Sequence, residues 1–203
     1  MRLLLGRGDV NPDTPDTKWG QTPLLVAAEN GHEGVVKLLL GRGDVNPDGS
    51  RKSSQTPLLC AARNGHEGIV KLLLERGDVN ADSSSNSGRT PFSWAAGNGQ
   101  EGIVRLLLGW EGVNHGSSSN SGRTPFLWAA LNGHERIVEL LLGLASVSPN
   151  SPEADYGRTP LSWAAGNGHE GSGAAVGAER CQPKHTRHNV RPNTALVCCR
   201  EGS

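Results

Sequence analysis

The dipeptide Thr-Pro recurs five times at nearly constant spacing, and this repetition constrains the fold more than any other feature of the chain. The copies are Thr22-Pro23, Thr56-Pro57, Thr90-Pro91, Thr124-Pro125 and Thr159-Pro160, which lie 34, 34, 34 and 35 residues apart. A fixed period of this size is typical of one supersecondary unit that is copied and stacked along an axis. In such a stack each unit contacts only its neighbours, so we predict a solenoid without a single central core. Function is therefore expected on a surface rather than in a pocket.

The composition agrees with thin stacked layers and excludes several classes of partner. The 203 residues are 35% hydrophobic and only 4% aromatic, which is little for one large core. Twenty basic and twenty acidic residues balance, so the net charge gives no reason to expect nucleic acid or an anionic membrane as a partner. The sequence shows no membrane-spanning apolar run and no secretory leader, and its four cysteines form no spaced framework. We therefore expect a monomeric, intracellular protein in a reducing compartment such as the cytoplasm.

Each unit is predicted to contain two short helices joined by a tight turn. The first helix begins with Thr22 as N-cap and Pro23 at the first helical position, where the missing N–H has no intrahelical partner to lose. Leu24, Ala27 and Ala28 then form an apolar face at i, i+3 and i+4. The paired alanines keep this helix narrow, so that the next unit can approach closely.

The second helix follows an Asn-Gly-His turn in most units. Gly31 and its equivalents are predicted to end the first helix in the left-handed conformation. Glu33 lies in the first turn of the second helix, where an acidic side chain is favourable for the helix dipole. Residues 35–40 supply a Val and Leu stripe that recurs in the next three units. A polar, glycine-rich loop follows each second helix and is long enough to project from the stack.

The units carry the motifs Gly-x-Thr-Pro-Leu, two alanines, Asn-Gly-His and Val-Val-x-x-Leu-Leu, or close variants of them. These motifs resemble the ankyrin repeat, and the resemblance covers about residues 1–170. The resemblance implies an all-α ankyrin-repeat solenoid of stacked helix-turn-helix units with projecting hairpin-like loops, which binds partner proteins on its concave face. The segment 159–170 also resembles arrays of large filamentous-fungal proteins, some of which belong to nucleotide-binding immune-type receptors.

Two positions depart from the family pattern. The family usually has His two residues after the proline, in a hydrogen-bond network between units. This chain has Leu25, Leu59, Ser93, Leu127 and Ser162 at that position, so we expect the network to be absent or rewired. The second unit has Ser54 where other units have a turn glycine such as Gly20 or Gly88, and we expect strain in that loop.

The repeat pattern predicts the boundaries of the units. Residues 1–17 form a partial repeat with a second helix and loop only, residues 18–51, 52–85, 86–119 and 120–154 form repeats 1 to 4, and residues 155–170 form the first half of repeat 5. Residues 171–203 are predicted to be a disordered, non-repeat tail.

The tail has a second interpretation. Back-translation of Arg180–Cys199, read one nucleotide later, restores a repeat phrase, so a frame-shifted repeat sequence is one explanation of the tail. The alternative for the whole chain is a truncated or wrongly assembled fragment of a larger ankyrin-containing receptor or scaffold, without independent activity.

Several motifs that suggest chemistry have simpler structural explanations. His32, His66, His134 and His169 occupy the same position in different layers, so they are expected to be turn residues rather than joint zinc ligands. The tripeptide Arg-Gly-Asp occurs three times, each time in the same loop after a second helix. No phosphate loop, nucleophile motif or metalloprotease helix is present in the sequence, and we predict neither an enzyme nor a cofactor.

The predicted interaction surface consists of positions that vary between units at the hairpins and first-helix ends. By family resemblance these are Lys18, Trp19, Gln21, Glu29, Lys52, Gln55, Arg63, Arg89, Arg123, Leu131, Asp155, Tyr156 and Arg158. The column Gln21, Gln55, Arg89, Arg123, Arg158 favours a partner with acidic character. A second column, Trp94, Trp128 and Trp163, is consistent either with packing between layers or with partner contact, since tryptophan serves both roles.

Overall fold

The computed structural model describes residues 3, 6, 7, 9–49 and 54–178, and its architecture is a stack of helix pairs. The first helices are α1 (Pro23–Glu29), α3 (Pro57–Asn64), α5 (Pro91–Gly97), α7 (Pro125–Leu131) and α9 (Pro160–Gly166). The second helices are α2 (Glu33–Leu40), α4 (Glu67–Glu75), α6 (Glu101–Leu108), α8 (Glu135–Leu142) and α10 (Glu170–Ala178). First helices pack on first helices and second helices on second helices, which confirms the predicted all-α solenoid.

Every first helix begins as the Thr-Pro dipeptide predicts. The threonine has extended backbone, and its Oγ1 accepts a hydrogen bond from the backbone N–H three residues later, at 3.3 Å from Leu25 and 3.2 Å from Ser93. The same bond forms in the other three units. An N-cap of this kind satisfies a donor that has no partner within the helix, and proline at the next position sacrifices none.

The core runs along the stack as one continuous apolar layer. Leu24, Leu58, Phe92 and Phe126 occupy equivalent positions in the first four units and are at most 1% exposed. The alanine pairs of these units are buried as well. Second helices add Ile, Val and Leu residues such as Ile69 and Val104. Small residues at the contact allow helix axes to approach within about 8–10 Å, so each layer buries its apolar face against both neighbours.

The Asn-Gly-His turn supplies one set of hydrogen bonds between units. The Nε2 atoms of His66, His134 and His169 lie 3.1, 3.0 and 3.0 Å from a main-chain carbonyl oxygen of the preceding unit. An asparagine Nδ2 donates to the same oxygen in these units, for example Asn132 to Gly97 at 2.6 Å. Where the residue two positions after the proline is serine, its hydroxyl donates to a carbonyl of its own unit. The hydrogen bonds between units that involve the turn are therefore independent of that position.

The loops that connect units are hairpin-like, as predicted. In the third unit the N–H of Ser85 donates to the carbonyl of Arg89 at 3.0 Å, and in the fourth unit Ser119 and Arg123 form the same bond. Adjacent hairpins also pair, because the N–H of Asn120 donates to the carbonyl of Ser87 at 3.0 Å. Ser54 has a φ of 55°, a left-handed conformation that costs a non-glycine residue free energy. This agrees with the strain expected in the second hairpin.

The helix α10 lies in the segment that the sequence assigned to a non-repeat tail, so the structure differs from the predicted boundary at residue 170. Ser172 and Val176 are buried, at 1% and 3% exposure, against the preceding helices. Residues 171–175 read Gly-Ser-Gly-Ala-Ala, and such small side chains pack closely without the periodic leucines that would have indicated a helix. Residues 179–203, which include Arg180–Cys199 of the frame-shift hypothesis, lie outside the described residues.

The turn contact predicts opposite effects for two glycine substitutions. Gly133 has a φ of 75°, and a Cβ there would lie 2.6 Å from the Nδ1 of His169. We expect Gly133→Ala to lower the free energy of unfolding by about 2–3 kcal/mol, because the left-handed backbone is strained and the histidine loses its hydrogen bond. Gly34 lies in α2 with no atom within 4 Å of an added Cβ, so Gly34→Ala should raise it by up to about 1 kcal/mol. Urea denaturation followed by circular dichroism measures both, and equal midpoints would contradict the structural role of the turn.

Candidate protein interaction surface

The arginine and tryptophan columns interleave to form one structure, which we call the arginine–tryptophan ladder. It consists of Arg63, Trp94, Arg89, Trp128, Arg123, Trp163 and Arg158. At its centre the Cζ of Arg89 lies 3.5 Å from the ring centroid of Trp94 and 4.0 Å from that of Trp128. A guanidinium over an aromatic face within about 6 Å is a favourable cation–π contact. Arg89 makes two such contacts and so connects the third unit to the fourth.

The ladder continues toward both ends with longer contacts. Arg123 lies 5.1 Å from Trp128 and 5.4 Å from Trp163, and Arg158 lies 4.7 Å from Trp163. Toward the first unit, Arg63 lies 5.8 Å from Trp94. The tryptophans are half-buried and stacked against arginine side chains. The two columns that the sequence suggested separately thus form a single stack across the second to fifth units.

Arg89 is a buried cation. Its residue is 9% exposed, and its Nη2 donates to the carbonyl of Ser93 at 3.0 Å. Within the described part of the chain it forms no ion pair with a carboxylate. Burial, with a smaller contribution from the nearby positive charge of Arg123, lowers the pKa of Arg89 to about 10. Because this pKa stays above neutrality, Arg89 remains charged at pH 7, and the cost of its desolvation would diminish only above about pH 10.

Arg123 has the partner that Arg89 lacks. The side chain of Glu153 is fully buried, and its Oε2 accepts a hydrogen bond of 2.5 Å from the Nε of Arg123. The other oxygen, Oε1, accepts from the Nε1 of Trp163 at 2.9 Å. One carboxylate therefore satisfies two donors of the ladder and neutralises one arginine.

Glu153 is the functional residue that sequence reasoning missed. It begins the hairpin of the fifth unit, where its N–H donates to the carbonyl of Arg158. Its position is the repeat equivalent of Ser119, and the hairpin that it begins is one residue longer than that of the fourth unit. Asp16 begins the first hairpin with the same bond, from its N–H to the carbonyl of Gln21. The available signal was an acidic residue at the hairpin start where the third and fourth units have Ser85 and Ser119.

Three candidates of the first and second units form a small polar cluster. Glu29 accepts from the Nε2 of Gln21 at 3.1 Å and pairs with the Nη2 of Arg63 at 3.2 Å. Since Arg63 also contacts Trp94, this cluster extends the ladder. Gln55 and Leu131 have structural contacts: the Oε1 of Gln55 lies 3.8 Å from the Sγ of Cys60, and the carbonyl of Leu131 accepts from His169.

The exposed candidates lie on the hairpins of the first and fifth units. Trp19 is 59% exposed and Tyr156 is 71% exposed, and each directly precedes a turn glycine. The Nζ of Lys18 lies 5.0 Å from the ring centroid of Trp19, while Asp155 and Arg158 are exposed beside Tyr156. Lys52 lies outside the described residues. The structure thus divides the predicted surface into exposed residues at two hairpins and internally bonded residues between them.

The hairpin of the first unit is shaped by Asp16. Its Oδ1 accepts from the N–H of Lys18 at 2.9 Å, and its Oδ2 accepts from the N–H of Gln21 at 2.9 Å. Hydrogen bonds from the backbone, that of Trp19 above all, hold the pKa of Asp16 below its usual value. The carboxylate therefore fixes the turn that presents Lys18 and Trp19.

The remaining motifs are explained by local contacts. In the loops after the second helices, Arg42 pairs with Asp44 at 2.6 Å and Arg76 with Asp78 at 3.3 Å, so the Arg-Gly-Asp tripeptides form ion pairs within each loop. Within the ranges 9–49 and 54–178 no three His, Cys, Asp or Glu side chains are grouped so as to hold a metal ion. None of the helices described is long and apolar enough to cross a membrane.

Removal of the Glu153 carboxylate should destabilise the ladder. We expect Glu153→Gln to lower the free energy of unfolding by about 2–4 kcal/mol, because Arg123 loses its charge partner and the amide cannot accept from both donors. Glu139→Gln, an exposed change on α8, is the matched control and should stay within about 0.5 kcal/mol. Chemical denaturation measures both variants, and equal stabilities would contradict the assigned role of Glu153.

Comparison with known proteins agrees with this architecture. A family model described as ankyrin repeats (3 copies) matches residues 1–83, 45–115 and 92–172. A search of curated proteins found no match. The matched segments contain the Thr-Pro caps, the turn contacts and the stacked helix pairs described above. This chain therefore belongs to the ankyrin repeat family.

Proposed function

We propose that this chain is a protein–protein interaction module that binds a partner on its concave face, between the projecting hairpins and the first helices. Ankyrin repeats generally act as protein-interaction modules, and the family assignment supports this class of function.

The observation that carries the proposal is the exposure of one aromatic side chain on each outer hairpin. Trp19 and Tyr156 are 59% and 71% exposed at positions where the inner hairpins have Ser87 and Ser121. An exposed tryptophan or tyrosine presents apolar surface to water that a partner can cover, and these residues are enriched among interface hot spots. We propose that the two aromatic residues anchor a partner that spans the array.

The charges near these anchors favour a partner with acidic character. Lys18 and Arg158 are exposed beside Trp19 and Tyr156, whereas Glu29 and Glu153 are used internally by Arg63 and Arg123. Positive groups at the rim of an interface mainly raise the association rate and discriminate between partners. Within the protein, Arg123 is paired with Glu153, whereas Arg89 has no carboxylate partner among the described residues.

The wider context is a second proposal. The segment 159–170 resembles arrays of large filamentous-fungal proteins, including nucleotide-binding immune-type receptors, which fits a module that recognises one protein for another domain.

Partner binding should depend on the exposed residues and not on the convex side. Proteins captured from the native cell extract are identified, and the affinity of the purified partner is measured by calorimetry. We expect the double variant Trp19→Ala/Tyr156→Ala to weaken binding at least about tenfold, and Arg158→Glu to weaken it less and to reduce its salt dependence. Arg136→Glu changes an exposed arginine on α8 and should leave the affinity unchanged. Unchanged binding by the aromatic double variant would contradict the proposed surface.

A further inference from the structure

We propose that Arg89 and Trp128 form a carboxylate-binding subsite in the arginine–tryptophan ladder, and that an acidic side chain of the partner fills it. This inference rests on the proposed function, since it assigns one chemical contact within that interaction surface. Its basis is a comparison of two neighbouring layers of the same protein.

The layer between the fourth and fifth units contains a site of this kind with a carboxylate bound to it. Arg123 and Trp163 are the repeat equivalents of Arg89 and Trp128. Their Nε and Nε1 atoms both donate to the carboxylate of Glu153, at 2.5 and 2.9 Å. A charged donor and a neutral donor that converge on two oxygens are the recognition geometry of a carboxylate.

The layer between the third and fourth units has the same donors without the acid. The Nε of Arg89 and the Nε1 of Trp128 are both buried and have no hydrogen-bond partner among the residues described. Buried donors without a partner are rare in folded proteins, and a charged one is especially unfavourable. These are the equivalents of the two atoms that Glu153 satisfies one layer further along.

Ser119 explains why the acid is missing there. It begins the hairpin of the fourth unit, and its N–H donates to the carbonyl of Arg123, as that of Glu153 does to Arg158. The Oγ of Ser119 lies 3.0 Å from the Oγ of Ser121 and accepts from the N–H of Arg123 at 3.3 Å, so the hydroxyl is used within the hairpin. Serine therefore leaves the two ladder donors to an acceptor from outside the chain.

The neighbouring layers explain why this position is selected. Trp94 also has a buried Nε1 without a partner in the described residues, but the position equivalent to Arg89 in the unit before it is Gln55, which has no charge. Gly97 lies beside the Arg89 guanidinium, and a Cβ there would come within 2.7 Å of the Nη2 of Arg89. The equivalent residues in the flanking units are Arg63 and Leu131, which carry side chains at that position.

The test uses acetate as the carboxylate probe and thermal unfolding as the readout. At constant ionic strength, replacement of chloride by acetate should raise the Tm of the natural chain in a saturable way, since a ligand that binds only the folded state stabilises it. Ser119→Glu supplies the carboxylate internally. It should raise the Tm by about 2–4 °C without acetate and abolish the response to acetate. The matched variant Ser119→Gln should raise the Tm less and should keep part of the response to acetate.

Glu153→Ser is the reciprocal variant. It opens a second subsite of the same kind, so its Tm should be lower and its response to acetate larger than those of the natural chain. If Ser119→Glu does not fold, the acetate responses of Glu153→Ser and the natural chain are compared alone. Equal acetate responses in the natural chain, Ser119→Glu and Glu153→Ser would overturn the subsite, because the ion would then act on some other part of the protein.

A second arm distinguishes a partner's side chain from a free small carboxylate. The blocked tripeptides Gly-Glu-Gly and Gly-Gln-Gly are compared at equal concentration, and only the glutamate peptide should raise the Tm of the natural chain. A response to acetate with no response to the glutamate peptide would overturn the assignment to a partner's acidic side chain. Neither arm requires the partner, so a failure of the aromatic double variant in the capture experiment stays distinguishable from a failure of the subsite.

Discussion

The close approach of successive first helices is the constraint on which the rest of the structure depends. Paired alanines at the contact, such as Ala61 and Ala62, are completely buried and leave no room for larger side chains. Helices at this distance bring the Asn-Gly-His turn of one unit within hydrogen-bond distance of the carbonyl groups of the unit before it. The turn can therefore make the same hydrogen bond in successive layers, because the spacing of the layers is the same.

The same spacing produces the ladder. A tryptophan ring and a guanidinium group are flat, so they can alternate along the stack without forcing the helices apart. Arg89 fits between Trp94 and Trp128 and joins two units through one side chain. The consequence is a column of alternating guanidinium groups and indole rings that runs from the second unit to the fifth.

The ladder is chemically uneven although its geometry is regular. Arg123 has a buried carboxylate from Glu153, whereas Arg89 is buried with a lowered pKa and with its Nε unpaired among the described residues. In one layer the protein supplies its own acid, and in the next layer serine stands in its place. Two hairpins that differ in their first residue, and in length by one residue, thus give neighbouring layers different charge pairing.

The repeat period, the Thr-Pro caps and the apolar stripes were sufficient to predict the fold from the sequence, because each is a local property that stacking reinforces in every unit. The same reasoning failed at α10, whose Gly, Ser and Ala residues have no hydrophobic period and become helical through packing on the preceding unit. The candidate site was predicted only in part. Trp19 and Tyr156 are exposed as a hairpin position suggests, but the stacking of Arg89 on two tryptophans and the bridge made by Glu153 join residues from different units. Such contacts depend on side-chain direction and on distances across layers, which the tertiary structure alone decides.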